Sequence, residues 1–586
     1  MSLPSAKNNI STQTKLHYIE RQDWLIIILI SVISTIMLFA NIGYKYLWQD
    51  EAATAVLGER MMKYGKPLAY DGKNLITMDF ITHKDEQIMD YLTGNAQTAI
   101  QYFIDRRDFK TDTTWIGQPW GQFIVAGISL SFLGHNTIAA RAPFAAAALI
   151  TVILLYLFIK KHFQDRWMAL IAVFLLLFNT YWILHSRQCR YYALTGLMLM
   201  ITMMVYAYWQ KGGKFGWVFF VLSGWCWFQV DFGSFWPVIG ILLMLALFHS
   251  WQRWTETVKA ATVLAIAVAP WVLYYEISGR LKTALLPWRF KLLGNLFNMN
   301  QFTIPIIFLI AAGLLLAYKW RKMSSLPQQL ILACLLIFPV SLIWVTSVAP
   351  WYFHRYYVHY TPLAALLMAW LFVEFGKWVG QNGKTIKLPV IVAFVISFTV
   401  VLCPLPSNLV TWMIPRADLT IRFNPLGTFI RPEFTILKDE ILGDGFDPNR
   451  TVIELIKTKA RPTDEILVNY EDIPFMFYTN NPIRGGLSCF RVEDRSSMPR
   501  FLVVRKSVSF VYWPAFMREI KRYNWKGISV NASAAVFGNN PEPACQPEWL
   551  FAWHAHNNYV LPKLIVAERI SDTTDIDSEL SSTTKK

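Results

Sequence analysis

Uncharged apolar runs about as long as a bilayer is thick recur along most of this chain and leave it few ways to fold. Residues 24 to 42 (WLIIILISVISTIMLFANI) carry no charge over a length that crosses about 30 Å of hydrocarbon as helix. Similar runs lie near 142–159, 166–184, 192–209, 215–231, 234–249, 258–276, 302–318, 326–348, 357–375 and 388–406. Within lipid every backbone N–H and C=O needs an internal partner, so such runs are read as helices. Together they give eleven spans. The stretch 119–134 (PWGQFIVAGISLSFLG) is about sixteen residues, roughly 24 Å as helix. Counting it as a crossing reverses the parity of every later loop, so it reads as a short or re-entrant helix. A count of up to thirteen stays open if another segment lies beside it.

Charge fixes the orientation. Of 586 residues, 54% are hydrophobic and 16% charged, too apolar for an ordinary soluble enzyme, and the formal net charge is +16. From residue 407 onward there are 22 Lys+Arg against 21 Asp+Glu, a difference of +1, so nearly all the excess sits in the apolar part. That placement suits loops held against anionic lipid and argues against a nucleic-acid footprint, which needs a basic stripe facing solvent. Alternate loops are basic: Lys160/Lys161/Arg166, Lys211/Lys214, Arg253/Lys259, Lys319/Arg321/Lys322 and Lys377/Lys384/Lys387. The positive-inside rule makes these cytoplasmic and puts 185–191, 276–300, 349–356 and everything after 406 on the opposite side.

The expected organisation is a cytoplasmic N-terminus (1–23), a first helix (24–43), an external loop (44–118), a helical membrane domain (119–406), an external α/β domain (407–570) and a disordered tail (571–586). The first run exceeds a usual signal-peptide core and no A-x-A site follows, so it reads as an uncleaved anchor. Loops as long as 44–118 usually carry function, and this one is expected to be folded. Strand-like runs at 465–470 and 501–505 mixed with helical patterns suggest the small α/β domain. The six cysteines show no metal-ligand spacing; Cys489 and Cys545, both in the external tail, are candidates for a disulfide in an oxidising compartment.

Carboxylates and arginines are expensive near a membrane, and here they gather on the external side. Trp48-Gln-Asp50-Glu51-Ala52 follows the first span. His185-Ser-Arg187-Gln-Cys-Arg190-Tyr191-Tyr192 closes one hairpin, and Trp351-Tyr-Phe-His354-Arg355-Tyr356-Tyr357 another. Carboxylates opposite convergent arginines suit a reaction in which an acid takes a proton from an acceptor hydroxyl or amine. The arginines would hold a phosphate that gains charge as it leaves. Each piece alone has a plainer reading: a solvated helix end for Asp50 and Glu51, snorkelling anchors for the arginines, an aromatic belt for the tyrosines. His354 reads as structural before supporting. Asp231, beside Phe232-Gly233, is either a helix cap or a second acid.

Taken together, these motifs resemble the polyprenyl-phosphate-sugar-dependent GT-C glycosyltransferases, a superfamily that includes protein O-mannosyltransferases and the lipid A aminoarabinose transferase. The matching features are Asp50-Glu51-Ala52, the Gln118-Pro119 entry to a short helix ending in Phe132-Leu-Gly134, Arg141-Ala-Pro143, Ser186-Arg-Gln-Cys-Arg190-Tyr-Tyr-Ala-Leu194, and Arg355-Tyr356 followed by Pro362. The resemblance covers the chain to about residue 406. It implies a GT-C-like polytopic fold and inverting sugar transfer from a polyprenyl-phosphate carrier to a lipid, glycan or protein acceptor. Asp50 would be the catalytic base and Glu51 its neighbour that orients the acceptor or tunes it. Arg190 and Arg355, with Arg187, Tyr191 and Tyr356 beside them, would bind the donor phosphate. The chain departs from its relatives at Gln118-Pro119-Trp120 and in carrying Arg187.

No phosphate-cradling glycine loop appears, as expected if the sugar arrives on an activated lipid rather than a nucleotide. No essential metal is expected, although an Asp-Glu pair can contribute oxygen ligands to a divalent ion. Two other functions compete: a transporter or flippase of a lipid-linked saccharide, and a membrane oligosaccharide polymerase or ligase. The first predicts repeated halves with interrupted helices, which the sequence lacks; the second usually places its large loop late in the helical domain. A bacterial inner membrane with a periplasmic C-terminal domain is the expected location, on the short N-terminus and the lack of a retention signal.

Overall fold

The computed structural model describes residues 20–76, 104, 108–249, 253–277, 287–323, 325–349, 352–380, 390–393, 395–396, 434–443, 447–469, 471–485, 498–504, 520–521, 523–530 and 564–570. Cys489, Cys545, the 571–586 tail and most of the apolar run 388–406 lie outside them.

Every other apolar run read in the sequence coincides with a described helix. The helices are α1 (Arg21–Phe39), α2 (Gln49–Tyr64), α3 (Gly121–Leu133), α4 (Thr137–Phe163), α5 (Arg166–Leu177), α6 (Thr180–Ser186), α7 (Tyr192–Gln210), α8 (Gly216–Val230), α9 (Phe232–His249), α10 (Trp254–Tyr274), α11 (Trp288–Asn298), α12 (Ile306–Lys319), α13 (Ser325–Val348) and α14 (Thr361–Gly380). Among the described residues, six helices are long and apolar enough to cross a membrane, or seven if α5 and α6 count as one bent span. The runs at 215–231, 234–249 and 302–318 form shorter apolar helices, as does α3, the short helix expected at 119–134. The count of eleven also includes the run 388–406, most of which lies outside the described residues. The 166–184 run breaks by 71° because Asn179 accepts the Trp182 N–H at 2.8 Å and starts a new helix.

Outward faces are apolar, as on α1, where Leu25, Ile28, Leu29, Val32 and Ile36 are exposed. The same helix buries Asp23, which accepts from Tyr156 at 2.8 Å and Arg166 at 3.0 Å and ties α1 to α4 and α5 at its N-terminal end. At its other end the free carbonyls of Met37 and Ala40 accept from Arg187 at 2.9 and 2.6 Å. The chain then turns into α2, which crosses α3 at two facing glycines. A Cβ on Gly58 would meet the Gly127 nitrogen at 2.8 Å, and one on Gly127 the Gly58 oxygen at 2.4 Å, so only glycines allow this approach. Helix α2 ends at Gly65, whose φ of 74° is the left-handed geometry of a helix stop. Buried Arg60 of α2 donates to the carbonyls of Leu68, Ala69 and Asn74 and to Asp71, so the chain just after α2 is folded.

The C-terminal region forms α15 (Phe434–Leu442), α16 (Pro448–Lys459), α17 (Asp472–Tyr478) and a sheet of β1 (Ile466–Val468), β2 (Ile483–Gly485), β3 (Phe501–Val504), β4 (Trp525–Ile528) and β5 (Ile565–Arg569). The strand order is β2-β1-β3-β5-β4. Strand β1 runs parallel to β2 and β3, with Ile466 opposite Ile483 and Phe501, while β5 runs antiparallel to β3 and β4. The unbroken apolar sequences ILV and FLVV suit central strands buried on both faces. Val452, Ile453 and Ile456 of α16 pack on them.

Candidate active site

Asp50 and Glu51 open α2, where the unpaired N–H groups of a helix start favour carboxylates. Their surroundings differ. Glu51 is fully buried, and Arg141 Nε and Nη2 donate to its two oxygens at 2.8 and 2.6 Å. The Cys189 N–H donates to it at 2.8 Å. Arg141 also donates through Nη1 to the carbonyls of Ile42 and Lys45, each at 2.9 Å. These are short, bidentate, charge-assisted contacts. They lock the exit of α1, the first turn of α2, α4 and the 187–190 segment into one unit.

Asp50 instead is partly exposed, with 16% of its side chain accessible. Arg190 Nη2 lies 3.4 Å and Arg355 Nη1 3.7 Å from Asp50 Oδ2. Both separations exceed the roughly 2.7–2.9 Å of a closed charge-assisted hydrogen bond. The two guanidiniums flank the carboxylate, and Arg190 Nε is buried with no hydrogen-bond partner. Arg190 is oriented by the Asp50 carbonyl, Thr54 Oγ1 and Gln118 Oε1, at 3.2, 3.1 and 3.3 Å. The Arg355 guanidinium lies 4.1 Å from the Phe353 ring centre and 5.6 Å from that of Trp48, a stacking arginine uses readily.

The other candidates are placed as follows. The Tyr191 ring sits 5.7 Å from the Arg190 guanidinium, and Tyr356 packs against Phe353. Arg187 is engaged on the α1 carbonyls, not on Asp50. His354 is buried against Tyr181, His185 and Phe302, and neither ring nitrogen has a hydrogen-bond partner. Asp231 accepts from the Gly233 N–H at 2.9 Å and from Ser234 Oγ at 2.6 Å, the geometry of a helix cap. Among the described residues no three His, Cys, Asp or Glu side chains gather as a metal site.

The C-terminal domain packs against this site. Asp472 Oδ1 accepts from Gln49 Nε2 at 2.7 Å, and burial pushes the Asp472 carboxyl up to about 6. His135, between α3 and α4, bonds to the Phe477 carbonyl at 2.6 Å, and its hydrogen bond with Glu59 raises its pKa. Sequence reasoning did not single out Gln49, Thr54 or Asp472, and quoted Arg141 and Gln118 only within motifs. A lone arginine near the start of an apolar helix was the one available signal for Arg141. None marked Asp472.

A helical membrane domain, an acid at the start of α2 and a C-terminal α/β domain packed against it make up the fold. No protein-family model and no curated protein matches this chain. Among solved structures the chain is similar to ArnT from Cupriavidus metallidurans bound to undecaprenyl phosphate, with a TM-score of 0.52, 11% identity, and 94% of this chain and 99% of that one covered. The apo state of the same protein gives 0.49 and 11%, over 87% and 96%. At this identity the likeness establishes the shared fold.

Proposed function

We propose that this protein is an inverting glycosyltransferase that moves a hexose or pentose from a polyprenyl-phosphate carrier to an acceptor on the non-cytoplasmic face of the membrane. The observation that carries the reading is the arrangement at Asp50, a partly exposed carboxylate with two guanidiniums beside it at 3.4 and 3.7 Å. When the donor phosphate enters, Arg190 and Arg355 turn their N–H groups to it, and the Asp50 carboxylate is released to act as a base. The acceptor oxygen or nitrogen then attacks the anomeric carbon from the side opposite the phosphate. Its proton passes to Asp50, the bond from the anomeric carbon to oxygen breaks, and the electron pair leaves with the polyprenyl phosphate. The arginines neutralise the charge that develops there. Glu51, closed on Arg141, keeps Asp50 in place.

The undecaprenyl phosphate bound by the ArnT structure supports a carrier of the same chemistry here. The reading requires no metal. The basic loops support placing the C-terminal domain on the non-cytoplasmic face, on the same side as Asp50.

The test is to supply purified protein, in detergent with native lipid, with a panel of polyprenyl-phosphate sugars and candidate acceptors, and to measure free polyprenyl phosphate. Acceptor-dependent release supports the transferase. No release from any donor, with lipid-linked saccharide moved across vesicles containing the protein, would make it a transporter.

A further inference from the structure

The residues leading into Asp50 are held by the C-terminal domain one after another. The Tyr46 N–H donates to Asp447 Oδ2 at 2.7 Å, and the Tyr46 ring stacks on Tyr478 with centres 3.8 Å apart. Leu47 donates its N–H to Tyr478 Oη at 3.0 Å, and its carbonyl accepts from Asn449 Nδ2 at 3.0 Å. Gln49, buried and adjacent to Asp50, is held through both atoms of its amide. Nε2 donates to Asp472 Oδ1 at 2.7 Å, and Oε1 accepts the Ile473 N–H at 3.3 Å.

The place on the domain matters as much as the bonds. Asp472 and Ile473 begin α17, at the carboxyl end of β1. The chain leaves β1 for β2 on one side and returns to β3 on the other, so β1 is where the winding of the parallel strands reverses. In open α/β sheets the crevice at that point is where ligands bind. Here residues 46–49 of the same chain fill it. Glu471, at φ 63° and buried, adopts a backbone that non-glycine residues rarely take, and Asn449 Nδ2 holds its carboxylate at 2.7 Å.

We infer that Gln49 and Asp472 are positioning residues for Asp50, and that the C-terminal domain uses the ligand-binding end of its sheet to hold the first turn of the helix carrying the catalytic acid. The inference rests on the proposed transferase reading. It makes the domain part of the active site rather than an appendage that recruits the acceptor.

The experiment uses the full-length protein and four variants: Gln49→Ala, Asp472→Ala, the double variant, and Asp472→Asn, which keeps an oxygen to accept the Gln49 N–H. Polyprenyl phosphate release is measured against donor concentration. Each alanine variant should lose at least about tenfold in kcat, since misplacing a reacting group by about 1 Å costs up to a hundredfold. The donor KM should stay within about twofold, because Arg190 and Arg355 are untouched, and the double variant should be no worse than the poorer single one, as for two residues acting through one contact. Asp472→Asn should stay within about threefold of wild type. Single variants with wild-type kcat, multiplicative losses in the double, or Asp472→Asn as poor as Asp472→Ala would overturn the inference. Hydrogen exchange at the amides of residues 47–52 gives a readout independent of turnover. Asp472→Ala should speed it while leaving α7 protected, and unchanged protection would refute the clamp even if no donor is ever turned over.

Discussion

Breaking the Glu51–Arg141 pair should separate stability from activity in a way that tests how the site is built. The contact is bidentate at 2.6 and 2.8 Å, and both side chains are buried, Glu51 completely. Removing one partner leaves the other charged without compensation in a low-dielectric interior, which typically costs about 3–5 kcal/mol. Replacing both with apolar side chains of similar volume is often close to neutral. Glu51→Leu and Arg141→Met should therefore each destabilise the protein by about 3–5 kcal/mol, and the double variant should recover most of that loss. Equilibrium unfolding in detergent, followed by tryptophan fluorescence, measures this. Turnover should not return with stability, because the double variant still lacks the Glu51 oxygen that accepts the Cys189 N–H and the guanidinium that holds the Ile42 and Lys45 carbonyls. Singles that cost under about 1 kcal/mol, as an exposed pair would, or a double variant with wild-type turnover, would refute the reasoning.

Other outcomes follow from the same contacts. Arg187→Ala should destabilise the protein by about 1–3 kcal/mol by leaving the Met37 and Ala40 carbonyls unsatisfied. Donor KM should stay near wild type, and a large rise would mean that Arg187 binds the phosphate. Gly127→Ala forces a Cβ to within 2.4 Å of the Gly58 oxygen, so overpacking of about 1–3 kcal/mol and reduced kcat are expected, both read on purified protein. Burial raises the Asp472 carboxyl to about 6, above its ordinary value near 3.9, so the folded state binds more protons than the unfolded state between those limits. Stability from this group is greatest below about pH 4 and is lost as pH rises through about 6. Asp472→Asn should flatten that part of the stability profile, and an unchanged profile would disprove the assignment.

Much of the membrane domain was legible because lipid imposes a simple rule on sequence, a continuous apolar length for each crossing. What that rule could not show was where an apolar run bends. Asn179 sits in such a run and reads as a tolerated polar residue until its side chain is seen capping α6. The site was legible in part for a similar reason, since carboxylates and arginines near lipid need a purpose, and Asp50, Arg190 and Arg355 do converge. The purpose of each charge was not legible. Asp50 and Glu51 are chemically almost the same and adjacent on one helix turn, yet one is partly exposed and the other faces a buried arginine ninety positions away. Arg187 and Arg190 sit in one motif but point to different elements. Side-chain direction at a hairpin depends on tertiary packing, and the docking of Asp472 on Gln49 spans 423 residues. No local pattern encodes such a contact.

The central claim, that Asp50 is the base of a transfer in which Arg190 and Arg355 hold the donor phosphate, is tested most directly by Asp50→Asn. The variant keeps the shape of the side chain and removes its basicity. Binding of the lipid-phosphate donor and release of polyprenyl phosphate are measured on the same folded preparation. Donor affinity should be kept or improved, since the arginines lose a competing anion, while release should fall at least about a hundredfold. Normal release by Asp50→Asn would contradict the claim.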